Sequence, residues 1–253
     1  MHEPATLGRV NGYETFATFY DAVQGDRAGD ADYARSLLER YCPGGRSVLE
    51  LACGTGSVLA RLRPHYEVTG LDLSPEMLAV ALRKLPGVEL LEGDMTSVRL
   101  GRRFDAVLCL YDSVNHLLRW REWERFFDTA RAHLEPRGVL VFDVNTETRL
   151  ASLAAAPPVV QLFDRNILLM DVTDTKRGVF EWHLRVIEQT GETRYRLHDS
   201  AVPERGFPTE RIRAALQERF RRVHVLDPLR SRPSPRSGRL WFVCRGPRPG
   251  RAA

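Results

Sequence analysis

Apolar positions along the chain follow two alternating periods. Near the N-terminus, DADYARSLLERYC (Asp30 to Cys42) puts Tyr33, Ala34, Leu37, Leu38 and Tyr41 on one helical face behind an Asp that reads as its cap. The breaker PGGR ends that helix. SVLELACG then runs apolar and β-rich, and opens through GTGSVLARL into a segment whose Val58, Leu59 and Leu62 recur at helix period. EVTGLDL reads as a second strand. Ser74-Pro75-Glu76 is a helix start, since Ser caps, Pro suits the first helical position and Glu faces the positive end of the dipole; the helix runs to about Lys84. Val88 to Leu91 reads as a third strand and FDAVLCLYD as a fourth; a helix from about Trp120 to Leu134, the turn EPRG and a fifth strand, VLVFDVNT, follow. Strands that alternate with helices and are apolar almost throughout predict an α/β fold: a doubly wound, mostly parallel seven-stranded sheet with helices on both faces.

After the fifth strand the rhythm changes. Pro157-Pro158 leads into VVQLFD, NILLMDVTDT, GVFEWHLRVIEQ and TRYRLHDSAV, separated by turn signals with no helical segment, which predicts an antiparallel insertion of three or four strands. A helix from Pro208 to Phe220 and two last strands, VHVLDP and RLWFVCRG, resume the main pattern. The expected divisions are residues 1–45, an N-terminal helical segment; 46–150, the core; 151–205, the insertion; and 206–253, the closing helix and strands.

Charge and cysteine content narrow the partners. Lys+Arg 37 against Asp+Glu 33 gives a net charge of +4, which admits a nucleic-acid partner. The excess is local, because residues 228–253 hold seven arginines and no acid, leaving the rest at −3. Only Lys84 and Lys176 are lysines, an arginine bias typical of GC-rich coding rather than of a ligand. Cys42, Cys53, Cys109 and Cys244 stand far apart without ligand spacing, so neither a metal site nor a disulfide framework is expected. No apolar run has the length of a membrane span, and residues 1–16 lack a basic region followed by an apolar stretch; the expected location is the cytoplasm.

The candidate chemistry lies where the first strand turns into its helix. Gly54 and Gly56 can take φ > 0 there and let a ligand approach the backbone, beside free helix N–H groups. A tight strand-helix turn alone would use the same glycines. Three features favour a ligand site. Asp72 ends the second strand, 22 residues after Glu50, where an acid can take both hydroxyls of a ribose. Asp94 and Met95 follow the third strand, a polar and an apolar group suited to the edge and face of adenine. All lie at the carboxyl ends of adjacent parallel strands, where open α/β sheets bind ligands.

These residues carry a resemblance. LELACGTG, TGLDLSPEML and EGDM resemble the first three motifs of class I S-adenosylmethionine-dependent methyltransferases, over about residues 13–150. Ala52 stands where the family usually has its first glycine, a form shared by many small-molecule members. The resemblance implies S-adenosyl-L-methionine as cofactor. By it, Gly54 and the backbone around Ala52 bind the methionine part, Asp72 the ribose, Asp94 and Met95 the adenine, and the end of the fourth strand near Leu110 the amino group, with Tyr20, Glu50, Gly56, Leu73 and Met77 as further cofactor-binding candidates. A nicotinamide or flavin fold would need a third glycine where Leu59 stands.

For methyl transfer to nitrogen a base is useful, and His116, in YDSVNH just past the fourth strand, is the candidate; packing against the following helix is its alternative role. Some sugar-amine N-methyltransferases carry a similar Ser-x-x-His segment and an N-terminal FxxxYD, matched here by FATFYD, so Tyr20 is a candidate to close over cofactor or acceptor, or else an aromatic plug. The expected function is methyl transfer to nitrogen or oxygen of a small molecule. The alternatives are an RNA methyltransferase using the basic C-terminal segment, and a non-catalytic cofactor-binding protein. The insertion, with Phe180 and Trp182 on one face and His183 on the other, is expected to roof the acceptor pocket or to pair two subunits in a homodimer.

Overall fold

The structure, a computed structural model, describes residues 13, 15–25, 28–175 and 177–249. Residues 1–12, read above for a leader, and Arg251 of the basic tail lie outside the described residues. In chain order the elements are α1 (Tyr20–Gln24), α2 (Ala28–Tyr41), β1 (Ser47–Leu51), α3 (Ser57–Leu62), β2 (Glu67–Asp72), α4 (Pro75–Lys84), β3 (Glu89–Glu92) and β4 (Phe104–Cys109). A short 3₁₀ turn (Ser113–His116), α5 (Trp120–Ala132), β5 (Leu134–Asn145) and α6 (Glu147–Ala154) follow. Then come β6 (Val159–Phe163), β7 (Asn166–Asp174), β8 (Phe180–Gln189), β9 (Tyr195–Glu204), α7 (Thr209–Arg219), β10 (Phe220–Leu226) and β11 (Arg239–Pro247).

The main sheet has seven strands in the order β10-β11-β5-β4-β1-β2-β3. Its neighbours pair in parallel except around β11, which is antiparallel to both β5 and β10. The mostly parallel α/β sheet expected from the sequence is therefore the one observed. Order reverses between β1 and β4, so a crevice opens at their carboxyl ends. Both faces are covered, as the period-two split of β5 shows: Leu140, Phe142 and Val144 join Trp123, Phe126 and Phe127 of α5, while Val139 and Val141 join Leu37 and Leu38 of α2. Phe142 stacks on its register partner Phe242 with ring centroids 4.9 Å apart. Among the described residues no helix is long and apolar enough to cross a membrane.

The insertion forms a separate antiparallel sheet, β6-β7-β8-β9. Its inner face packs on Phe16 and neighbours of the N-terminal segment at one end and on Leu150 of α6 at the other.

Three local expectations change. A helix, α6, forms between β5 and Pro157 where none was expected; Leu150 is its only buried residue, so it has almost no apolar period to read, although Thr146 caps it by accepting from the Arg149 N–H. EPRG is not a turn before a strand but a bulge within β5: Leu134 pairs with Phe104 and Val139 with Ala106, so residues 135–138 loop out opposite Asp105. Asp30 lies in the first turn of α2 rather than at its cap, and both its oxygens accept from Arg239 Nη1, at 3.1 and 3.0 Å.

The two sheets are joined through Asn115, fully buried in the 3₁₀ turn after β4. Its Nδ2 donates to the carbonyls of Asn145 and Arg205, both at 3.0 Å, and its Oδ1 accepts from the Asn145 N–H at 3.0 Å. Its own carbonyl accepts from Arg205 N–H. Asn115→Ala should cost about 3 kcal/mol or more, since three backbone groups lose their partners inside the fold. Urea denaturation measures this, and a loss below 1 kcal/mol would show that the backbone re-pairs without the amide.

Candidate active site

The glycine loop begins on a residue that is not glycine. Ala52 has φ 57°, Gly54 53° and Gly56 74°, so the chain leaves β1 through three left-handed positions before α3 begins. The two glycines serve different ends. A Cβ on Gly56 would lie 2.6 Å from Leu85 Cδ1, so that glycine admits close packing of α3 against α4. A Cβ on Gly54 would meet nothing within 4 Å, so its side faces open space.

Asp72 fastens this loop. Its Oδ2 accepts from Gly54 N–H at 2.7 Å and its Oδ1 from Ser74 N–H at 2.9 Å, joining the β1–α3 and β2–α4 turns. Burial raises its ionisation and the N–H groups of Ser74, Gly54 and Leu73 pull the other way, leaving the carboxyl above its usual range. Glu50, on β1 beneath the loop, is 2% exposed and its Oε2 has no partner among the described residues. Burial, and then the charge of Asp72, push its ionisation well above normal. Leu73 is exposed beside Asp72, whereas Met77 is buried in the first turn of α4, its N–H given to the capping Ser74 Oγ at 3.2 Å. Asp94 Oδ1 accepts from Thr96 N–H at 2.8 Å, shaping the turn after β3, and Met95 lies with its sulfur 3.9 Å from Cys109 Sγ. The Leu110 side chain is buried, and its carbonyl accepts from Ser113 Oγ at 2.7 Å.

Over the same crevice lies the N-terminal segment. Asp21 of α1 accepts from Thr55 Oγ1 at 2.6 Å and Ser57 Oγ at 3.2 Å, and pairs with Lys84 Nζ at 2.6 Å. These bonds strap α1 across the glycine loop, and Tyr20, Asp21 and Gln24 face Ser57 and Tyr111 around a small hollow. Tyr20 also meets Tyr13 and Phe16 edge-on, so it is both packed and placed at the hollow.

His116 does not pack idly on the following helix. Its Nδ1 is 3.2 Å from the Pro203 carbonyl and its Nε2 is 3.1 Å from Tyr13 Oη. A carbonyl only accepts, so Nδ1 carries the hydrogen in the neutral ring and Nε2 accepts from the Tyr13 hydroxyl. Burial, followed by the charges of Tyr20, Glu204, Asp112 and Asp72, raises the Tyr13 ionisation well above normal. Those same groups thus share one neighbourhood around the Tyr13 hydroxyl. Within it Glu204, 3% exposed, accepts from Asn145 Nδ2 at 3.1 Å and shares a hydrogen bond with the Asp112 carboxyl. Burial and Asp112 push the Glu204 ionisation well above normal.

Tyr13, Asp21, Asp112 and Glu204 were missed as site residues in the sequence. Asp21 is the last letter of FATFYD and Asp112 lies within YDSVNH, so both had a signal; Tyr13 and Glu204 reach the site only through tertiary packing.

Comparisons with known proteins give the chain its family. Residues 48–138 match the family described as a methyltransferase domain. A Bacillus subtilis protein assigned as a methyltransferase, YqeM, is 30% identical over 243 residues, 91% of this chain and 95% of its own length. The chain belongs to the methyltransferase family. Over a shorter stretch this methyltransferase-family chain is 39% identical to the Streptomyces fradiae dTDP-3-amino-3,6-dideoxy-α-D-glucopyranose N,N-dimethyltransferase, covering 56% of this chain and 58% of that protein. The match therefore spans little more than half of that relative's length. Among solved structures, the sugar N-methyltransferase KedS8 of Streptoalloteichus superposes with a TM-score of 0.77 at 29% identity, covering 97% of this chain and 98% of its own.

Buried carboxyls give the fold a pH signature. The raised folded value of Glu50 means that its contribution to stability is complete below the unfolded value, about 4.3, and is lost as pH rises through the folded value. Glu50→Gln should therefore raise the melting temperature at pH 8 and leave it near the parent value at pH 4. Thermal scans across that range test this; a difference independent of pH would refute the assignment of strain to the ionised carboxyl.

Proposed function

We propose that this chain is an S-adenosylmethionine-dependent methyltransferase acting on the amine nitrogen of a small molecule, an amino sugar of the kind named for its relatives. The observation that carries the reading is the ordered Tyr13–His116–Pro203 array, held at the carboxyl end of β4 and facing the same crevice as the glycine loop and Asp72. The cofactor fits the residues present. Glu50 has an unpaired buried oxygen, Gly54 an open side, and Asp72 a carboxylate with acceptor capacity left for a hydroxyl beyond the N–H groups of Gly54, Ser74 and Leu73. Glu50, Ala52, Gly54, Gly56 and the Leu110 backbone would hold its amino-acid end, Asp72 and Leu73 the ribose, and Asp94 and Met95 the adenine, with Met77 supporting that side from within the fold.

When bound, S-adenosylmethionine supplies a methyl group on a sulfonium, already activated for in-line displacement. What remains for the protein is alignment, exclusion of water and removal of one proton. Tyr13 and His116 divide the proton step. The acceptor nitrogen loses a proton to Tyr13 Oη as the Tyr13 proton passes to His116 Nε2, leaving a neutral phenol and an imidazolium whose Nδ1–H stays on Pro203. Because its surroundings oppose phenolate formation, Tyr13 relays rather than ionises. Tyr20 and the Asp21 strap close the crevice from above.

The divisions at 1–45, 46–150, 151–205 and 206–253 follow as a lid, a cofactor core, an acceptor-facing insertion and a closing edge, and the cytoplasm is the location this reading implies. The insertion also supports a homodimer. Leu162, Ile167, Ile187 and Leu197 are successive register partners across β6 to β9 on the outer face, and Leu162 and Leu197 are 77% and 60% exposed. Beside that row Arg185 sits between Asp171 and Asp199, charges of both signs that suit a self-complementary two-fold contact.

Calorimetry with S-adenosylmethionine and S-adenosylhomocysteine, and methyl transfer to dTDP-3-amino-3,6-dideoxy-α-D-glucose, test the function. Asp72→Ala should weaken cofactor binding at least about tenfold, and His116→Gln should lower kcat by about 100-fold. Cofactor binding without turnover on any amine would leave a binding protein instead. For the assembly, sedimentation should show a dimer that the Leu162→Glu, Leu197→Glu double variant converts to monomer; a parent monomer at tens of micromolar would exclude it.

A further inference from the structure

The indole of Trp182 lies in β8 with its Nε1–H buried and without an acceptor among the described residues. Such a donor costs free energy unless something fills it, and mid-strand tryptophans on an inner face normally find a partner. Register fixes its surroundings. Trp182 pairs with Val202 and Phe180 with Glu204, so the indole and the Glu204 carboxyl share the inner face as diagonal neighbours, a separation an indole can span. The residue between Val202 and Glu204 is Pro203, whose carbonyl holds His116. On the other side Trp182 packs between the N-terminal segment, which brings Tyr13, and α6. An unfilled donor, an aromatic face and a carboxyl pair thus converge beside the proton-transfer array.

We propose that Trp182 and the Glu204–Asp112 pair recognise the acceptor: the indole N–H donates to a ring or hydroxyl oxygen of a cyclic, hydroxylated amine whose ring rests against the indole, and the carboxyl pair receives its ammonium. This rests on the amino-sugar methyltransferase reading and adds the residues that would tell such an acceptor from an aliphatic or aromatic amine. The polarity of the site agrees. Asn145 Nδ2 fixes one Glu204 oxygen, and the Asp112 backbone is fixed in turn by its N–H to Asp143 Oδ2 at 3.0 Å. The Glu204 carboxyl is thus oriented before a ligand arrives and the backbone that carries Asp112 is held, while Trp182 lacks the oxygen that a sugar would bring. A flat aromatic amine would leave that donor unfilled, and an acyclic one would leave the indole face bare.

The experiment is acceptor binding to the full chain saturated with S-adenosylhomocysteine, using dTDP-3-amino-3,6-dideoxy-α-D-glucose and dTDP-glucose, which has hydroxyls in place of the amine. Trp182→Phe, which keeps the ring and removes the donor, should weaken both ligands by about 3- to 10-fold. Glu204→Gln, which keeps the bond from Asn145, should weaken the amino sugar by at least about tenfold and dTDP-glucose by less than about twofold. Unaltered S-adenosylhomocysteine affinity in both variants separates this from a folding defect. The proposal is overturned if the parent fails to bind the amino sugar, if Trp182→Phe binds it as the parent does, or if Glu204→Gln weakens both ligands equally. Binding of the amino sugar with no turnover on any amine would instead overturn the methyl-transfer reading and leave the recognition pair standing.

Discussion

The side chain of Asn115 is the point at which two sheets with unrelated hydrogen-bond ladders become one site. A carboxamide offers two donors and an acceptor with two lone pairs, and here three of those positions go to backbone groups of Asn145 and Arg205. Those residues end β5 and follow β9. No aspartate could replace it, because the pattern requires donation to two carbonyls and acceptance from one N–H. The neighbouring residue is His116, so the amide that joins the sheets also sets where the imidazole sits. The second hold on that ring, the Pro203 carbonyl, comes from β9 itself, so the insertion helps to orient the imidazole.

Around that joint the protein accepts several costs at once. Tyr111 and Asp112 both have positive φ, 58° and 51°, immediately after β4, and Ala52 has φ 57° immediately after β1. Glu50, Asp72 and Glu204 are buried carboxyls whose ionisation burial opposes. Each of these would weaken an ordinary core, and they cluster at the carboxyl ends of β1, β2 and β4, with Glu204 brought beside Asp112 from the end of β9. A sulfonium and an ammonium are ligand charges that relieve such carboxyls, and they are the two cations the proposed reaction brings together.

The parallel core was legible because its signals are local. Continuous apolar strands, Ser74-Pro75-Glu76 and the glycine turn each depend on residues within a few positions of one another, and the structure follows them to within a few residues. Helix α6 was not legible, since one buried leucine makes no period. The bulge at residues 135–138 read as a turn because Glu-Pro-Arg-Gly has turn composition in either setting; only the register against Phe104 and Ala106 shows the strand passing through it. Of the candidate site, the turns carrying Gly54, Asp72 and Asp94 were readable from motifs, whereas Tyr13 and Glu204 join it through contacts spanning 103 residues in one case and 59 in the other, a distance at which sequence carries no spacing.

The basic C-terminal region, which first admits a nucleic-acid partner, has at least one arginine with a different employment. Arg239 opens β11 and is largely buried, with Nε on Asp143 Oδ2 at 2.6 Å and Nη1 on both oxygens of Asp30. Asp143 is fully buried in β5 and its ionisation is pushed up to about 6 by burial, against the pull of Arg239. The same Oδ2 accepts the Asp112 N–H, so the guanidinium is the counter-ion that keeps Asp143 charged under the left-handed turn carrying Asp112. Replacing a member of such a triad leaves a charge buried and alone, which costs far more than the pair contributes. Arg239 is thereby committed to the geometry of the turn after β4, and a count of positive charge at the C-terminus overstates what is free to meet a polyanion.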